Sequence, residues 1–170
     1  MIMSDTLKDK VAIVTGAGGG IGNGVARYLA AEGAAVVVND PGCAVDGSGG
    51  SSTPADELVR SIDALGGNAI GSYDSVTEFE AGERLVQQAV EAFGGLDIVV
   101  TCHGILRDRM IFNMSEQEWD DVIDVHLTGT FNVVRHACTY MRQQRKGRII
   151  TVSSTSGLVG NPGQANYGVA

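Results

Sequence analysis

The chain has 170 residues, of which 44% are hydrophobic, 19% are charged and 24 are glycine. That composition suits one compact α/β domain spanning 1–170 and excludes an intrinsically disordered chain. A formal net charge of -8 and a pI near 4.7 would repel a phosphate backbone, so no nucleic-acid partner is expected.

The three cysteines, Cys43, Cys102 and Cys138, are widely spaced and form no C-x-x-C pair. They indicate neither a disulfide framework nor a zinc site. No apolar run approaches the ~18 residues of a membrane span. The expectation is a cytoplasmic protein with no metal and no membrane partner.

The first strand is predicted at Val11 to Val14. It is followed by Thr15-Gly16-Ala17-Gly18-Gly19-Gly20-Ile21-Gly22 and a helix carrying Val25 and Leu29 that stops at Gly33. Backbone without Cβ can turn this sharply and admit a pyrophosphate to the free N–H groups and positive dipole of a helix N-terminus. A glycine-rich turn alone is a weak signal, but here it sits between a strand and a helix, and a second strand follows, Ala35 to Val38, ending at Asp40. An acidic group there can accept hydrogen bonds from ribose hydroxyls and repel a 2′-phosphate, which favours NAD over NADP. The alternative is that Asp40 only forms a turn before Pro41.

Pro41 to Ser52, rich in glycine and serine, is a surface loop. The second helix opens with Thr53 as N-cap and Pro54 at its first position, and buries Leu58, Val59, Ile62 and Leu65 before Gly66. A third strand at Ala69 and Ile70 leads to Asp74, which on its own would be a capping or turn residue. Thr77-x-x-Glu80 and Ser115-x-x-Glu118 read as capping boxes for the next two helices. Between those helices Leu96 to Val100 is the fourth strand.

The last of these helices runs from about Ser115 towards Met141, with Trp119, Val122, Ile123, Val133, Val134 and Ala137 on its apolar side, serving either the core or a subunit contact. The cations Arg142, Arg145, Lys146 and Arg148 fall at its end, where they complement the helix dipole. Ile149 to Val152 is the fifth strand. Continuous apolarity in these strands, in place of alternation, predicts a parallel sheet buried on both faces.

Thr15-Gly16-x-x-x-Gly20-Ile21-Gly22 resembles the coenzyme fingerprint of the short-chain dehydrogenase/reductase family, and the similarity continues through Asp74 and Gly104 to Ser154 and Tyr167. Several stretches resemble more narrowly the (3R)-hydroxyacyl-CoA dehydrogenase units of peroxisomal multifunctional enzymes of type 2 and their bacterial relatives. These are Val36 to Asp40, Tyr73 to Val76, Gly104 to Arg109, Val125-His126-Leu127-x-Gly129 and Gly163 to Tyr167, together with the long insert after Asp40.

The resemblance implies a doubly wound Rossmann sheet of order 3-2-1-4-5 and an NAD site on Gly16, Gly18, Gly19, Gly20, Ile21, Gly22, Asp40, Asp74, Ser75, Val76, Cys102 and Gly104. It implies a homodimer or homotetramer that interconverts a secondary alcohol and a ketone, with an acyl-CoA thioester as the small-molecule substrate. Tyr167 is then the base. Tyrosine titrates near pH ~10 in water, so it needs adjacent positive charge to work near neutrality. The family supplies that charge from the nicotinamide and from a lysine four residues on, at position 171, one past Ala170. With the family's last strands also missing, the chain is expected to be a piece of a longer protein and inactive by itself.

Ser154, by its spacing from Tyr167, matches the family serine that holds the substrate oxygen, although Ser153 and Ser156 are rivals on the residues alone. His126 replaces the usual asparagine of a proton relay, or else braces the helix. Thr101-Cys102-His103-Gly104 departs from the family's Asn-Asn-Ala-Gly and puts coenzyme geometry in question. A Cys102 nucleophile beside His103 is disfavoured, because neighbours on a strand face opposite ways. The competing functions are a 3-oxoacyl carrier-protein reductase, against whose usual NADPH Asp40 argues, and a coenzyme-binding module without catalysis.

Overall fold

The computed structural model describes residues 5–170. In chain order these form β1 (Val11–Thr15), α1 (Gly20–Ala31), β2 (Ala35–Asn39), α2 (Thr53–Asp63), β3 (Asn68–Ser72), α3 (Ala81–Phe93), β4 (Ile98–Thr101), α4 (Glu116–Ile123), a π-helical turn (Asp124–Thr128), α5 (Gly129–Gln144), β5 (Arg148–Thr151), α6 (Thr155–Val159) and α7 (Ala165–Val169). The five strands form one sheet of order β3-β2-β1-β4-β5 with every pairing parallel. This is the predicted doubly wound arrangement.

Residue alternation along β1 shows why a continuous apolar run is needed. Ala12 and Val14 face a cluster with Ala26 and Ala30 of α1 and Leu58 and Ile62 of α2. Val11 and Ile13 face the opposite cluster with Leu85 and Ala89 of α3 and Val133, Ala137 and Met141 of α5. Each large side chain fully buried in this way, such as Ile13 or Leu85, contributes about 1.5–3 kcal/mol from removal of apolar surface from water. Because all strands run the same way, the loops after β1, β2, β4 and β5 gather at one edge of the sheet.

Burial on both faces holds for β1, β2 and β4 but not for β5. It pairs only with β4, and Ile150 is 52% exposed, with no described helix covering that face. On α1 the tightly buried face is Gly22, Ala26 and Ala30, while Val25 and Leu29 pack at its margin.

The predicted N-cap at Thr53 shifts by one: Ser52 occupies the cap, and Pro54 lies one place further into the helix. Leu65, predicted buried, is exposed because α2 ends at Asp63 and Leu65 falls on the turn before Gly66, whose φ is +83°. The Thr77–Glu80 capping box does not form. The Ser75 hydroxyl captures the Thr77 N–H at 3.4 Å and its hydroxyl at 2.8 Å, and α3 starts at Ala81 with no side-chain cap.

The Ser115–Glu118 box forms in full. The Ser115 backbone N–H and hydroxyl, with the Arg109 guanidinium, hold the Glu118 carboxyl down at about 2. The long helix predicted from Ser115 runs without a gap from Glu116 to Gln144, and the π turn Asp124–Thr128 changes its register between α4 and α5. At the far end of α5, Lys146 pairs with Asp97 at 2.8 Å, and the other Asp97 oxygen accepts the Val11 N–H at 3.1 Å, tying the base of β1 to the helix end.

Candidate functional site

The glycine turn after β1 is held by close backbone contacts. Gly16 has φ +63°, and a Cβ there would lie 2.6 Å from the His103 backbone. A Cβ on Gly22 would lie 2.2 Å from the Gly16 carbonyl oxygen, so α1 presses directly onto the turn it follows. Gly18 is closed in by Asp40 and Pro54, but Gly19 and Gly20 border open space, where a Cβ would meet nothing within 4 Å. No side chain caps α1, whose N-cap is Gly19, and Ile21 is exposed beside it. An uncapped helix start next to open space is suited to a bound anion.

These contacts separate two substitutions. Gly22→Ala should destabilise the fold by ~1–3 kcal/mol, since rigid backbone must move to admit the methyl group. Gly19→Ala should cost less than ~1 kcal/mol yet weaken coenzyme binding, because its methyl enters the open space. Urea denaturation and coenzyme fluorescence measure the pair, and equal stabilities for the two variants would contradict the close packing.

At the end of β2, the Asp40 carboxylate accepts the Gly18 N–H at 2.8 Å on one oxygen and the Gly42 N–H at 2.6 Å on the other. Each carboxylate oxygen has a second acceptor site free. Asp74 is engaged by Arg84 at 2.7 Å and by the Ser72 hydroxyl at 3.4 Å, while its carbonyl accepts from Asn39 Nδ2 at 3.0 Å. Ser75 is turned to Thr77, and the Val76 side chain is buried in the core against Gly129. Sequence reading missed both Arg84 and Asn39. The loop from Pro41 reaches across the sheet edge, where the Val45 carbonyl accepts the Leu106 N–H at 2.9 Å and Gly47 sits against Ile105.

On the other side of the turn, Cys102 packs at the margin of the α1/α2 core, and burial pushes its thiol up, the reverse of what an activated nucleophile requires. His103 faces away from it, towards Thr15 and Thr130. Gly104 is a glycine for a packing reason: a Cβ there would lie 2.3 Å from His126 Cε1. His126 Nε2 sits 2.9 Å from the Ile105 carbonyl oxygen and 3.0 Å from its backbone nitrogen. Its ring meets Tyr167 edge-on, with centroids 5.1 Å apart and planes at 79°.

Ser154 caps α6 by accepting the Ser156 N–H at 3.2 Å. The rival Ser156 spends its hydroxyl on Gln164 at 2.8 Å. The helix of Ser154 packs on that of Tyr167, and a Cβ on Gly168 would lie 3.0 Å from the Ser156 carbonyl oxygen. Asn166, fully buried, anchors α7 by donating to the Arg107 and Glu118 carbonyls at 3.1 and 2.9 Å. Nothing in its spacing marks it beforehand.

Burial pushes the His103 imidazole down to about 4, and repulsion from His126 acts in the same direction. His126 is also lowered by burial, so both rings are neutral at pH 7. Unfolded, His103 gains its proton near 6.5; folded, it resists protonation until about 4. Its contribution to stability is therefore complete above pH 6.5 and is lost as pH falls towards 4, by roughly 2 kcal/mol after allowance for partial exposure. Urea unfolding at pH 7 and pH 4.5 should show this loss, and the His103→Gln variant should lack that part of it. An unchanged pH slope in the variant would refute the assignment.

A family model described as short chain dehydrogenase matches residues 10–170. The chain is 51% identical over 166 residues to "Peroxisomal multifunctional enzyme A" of Dictyostelium discoideum, covering 98% of this chain and 37% of that protein. It is 48% identical over 161 residues to "Peroxisomal multifunctional enzyme type 2" of Mus musculus, covering 95% of this chain and 22% of that protein. Among solved structures, a short chain dehydrogenase from Mycobacterium avium superimposes with a TM-score of 0.87 at 49% identity, covering 96% of this chain and 59% of that one. The chain thus spans less than two thirds of each of these relatives. With the match running from the strand before the glycine turn to the helix that bears Tyr167, the chain belongs to the short chain dehydrogenase family.

Proposed function

We propose that this chain is the coenzyme-binding and catalytic part of an NAD-dependent oxidoreductase that interconverts a secondary alcohol and a ketone, the 3-hydroxyacyl-CoA/3-ketoacyl-CoA pair. The observation that carries this reading is the uncapped start of α1 beside open space, with the Asp40 carboxylate bonded to Gly18 of the turn before it; Tyr167, packed on His126, is the accompanying proton-transfer group. The residues present fit a dinucleotide. Gly19 and Gly20 leave room for a pyrophosphate, the first-turn N–H groups of α1 would hold it, and Asp40 retains acceptor capacity for ribose hydroxyls. The oxidised coenzyme, when bound, supplies the hydride acceptor and a positive charge near the phenol.

Tyr167 takes the alcohol proton at its phenol oxygen, or returns it in the reverse direction. Ser154 Oγ holds the substrate oxygen and stabilises charge developing there. His126, fixed on Ile105, orients the tyrosine ring. The names of the multifunctional relatives favour an acyl-CoA thioester as substrate. A cytoplasmic homodimer or homotetramer belongs to the same proposal, and among the described residues no helix is long and apolar enough to cross a membrane.

Titrating NADH by fluorescence and then following acetoacetyl-CoA reduction with NADH and with NADPH tests the reading. Turnover preferring NADH is expected. Coenzyme binding with no turnover in the intact protein would leave a binding module in its place.

A further inference from the structure

The chemistry above makes no use of His103, yet its ring joins the two halves of the site. Its Nδ1 lies 2.6 Å from the Thr15 hydroxyl at the end of β1, and its Nε2 lies 3.3 Å from the Thr130 hydroxyl on α5. Threonine hydroxyls both donate and accept, so a neutral imidazole satisfies both contacts. Thr130 follows His126 by four positions and Gly129 follows it by three, so His103 holds the C-terminal end of the π turn Asp124–Thr128, where Gly129 begins α5. The fit is tight: a Cβ on Gly129 would lie 3.3 Å from His103 Nε2 and 2.7 Å from Val76 Cγ2.

The geometry points to His103 as a positioning residue for Tyr167 that acts by holding the π turn in the register that sets His126 against the tyrosine ring. This rests on the reading of Tyr167 as the group that exchanges a proton with substrate. A π turn is uncommon and persists where surrounding contacts hold it. Relaxation to α-helical register would rotate residues on the turn by up to about 100°. Such a rotation would carry His126 off Ile105 and away from the 5.1 Å edge contact with Tyr167. His103 itself touches neither Tyr167 nor the space above Gly19 and Gly20 in any contact described, so its effect on the phenol has to pass through His126.

A double-substitution cycle in the intact protein, with NADH and acetoacetyl-CoA as probes, tests this. His103→Ala should lower kcat roughly tenfold, with NADH affinity and KM changed less than about twofold. His103→Gln, which keeps a donor and an acceptor, should recover most of the loss. Thr130→Val, which removes one contact and no volume, should lower kcat by a few fold and serves if the alanine variant folds poorly.

In a His126→Ala background, the His103→Ala change should have almost no further effect on kcat, because residues acting in series are not additive. Additive losses, or an NADH affinity that falls as much as kcat, would overturn the proposal and assign His103 to the glycine turn or to general stability. Tyr167→Phe separates the two failures. If that variant keeps near-normal activity, the underlying reading of Tyr167 is wrong; if it is inactive while the cycle is additive, only the role of His103 is.

Discussion

Tyr167→Phe should cut acetoacetyl-CoA reduction by roughly 10²–10⁴-fold, the range over which a positioned proton donor acts, with NADH binding unchanged. The substitution removes one oxygen and leaves the packing in place. Phenylalanine keeps the ring that meets His126 edge-on at 5.1 Å, and α7 keeps its anchor, because the contacts of Asn166 to Arg107 and Glu118 do not involve the phenol. The backbone of residue 167 also keeps its hydrogen bond to Asn166 Oδ1 at 2.8 Å. Loss of rate without loss of stability or coenzyme affinity is therefore the expected signature, read from steady-state kinetics, NADH fluorescence and a thermal melt of the same preparation. Ser154→Ala makes a useful contrast: it also removes the cap of α6, so its rate loss should come with a destabilisation of about 1 kcal/mol. A phenylalanine variant within tenfold of the parent would remove the phenol from the chemistry.

The sheet was legible because parallel strands covered on both sides need uninterrupted apolar runs, and each run lies next to a glycine or a loop that ends it. Apolarity alone misjudged Ile150: β5 is the outer strand of the order 3-2-1-4-5 that the resemblance implied, and an outer strand is not covered as β1, β2 and β4 are. Two capping boxes with the same spelling fared differently. Ser115 and Glu118 had no local competitor, whereas Thr77 had Ser75 two residues away, and its hydroxyl took the contacts the box needed.

The glycine turn and Asp40 could be read from the residues themselves. Ser154 and Tyr167 could be singled out only by resemblance, with Ser153 and Ser156 equal candidates otherwise. The π turn and the link from Thr15 through His103 to Thr130 had no signal at all. One is a local change of hydrogen-bond register that no residue type announces, and the other joins positions 15, 103 and 130, far apart in sequence and brought together only by the crossover of β1 and β4.

Asp40→Asn should shift coenzyme preference from NADH towards NADPH by on the order of 10²-fold. The native carboxylate sits at the end of β2 beside the open start of α1, where an adenosine ribose would lie. A 2′-phosphate there would bring like charges within a few ångströms. At ~4 Å with an effective dielectric of ~20 the repulsion is about 4 kcal/mol per unit charge, and partial exposure of Asp40 reduces it to roughly 2–3 kcal/mol, which sets the expected ratio.

Removing the charge has a second consequence. The two carboxylate oxygens accept the Gly18 and Gly42 N–H groups at 2.8 and 2.6 Å, and an amide can accept only one of them while its NH₂ faces the other donor. The variant should therefore lose about 1–3 kcal/mol of stability, and its NADH affinity should fall if Gly18 belongs, as proposed, to the turn that receives a pyrophosphate. Kinetics with both coenzymes, paired with urea denaturation, separate the two effects. A variant that weakens NADH and NADPH equally would mean that Asp40 only braces Gly18 and Gly42, and that discrimination between the coenzymes lies in other residues.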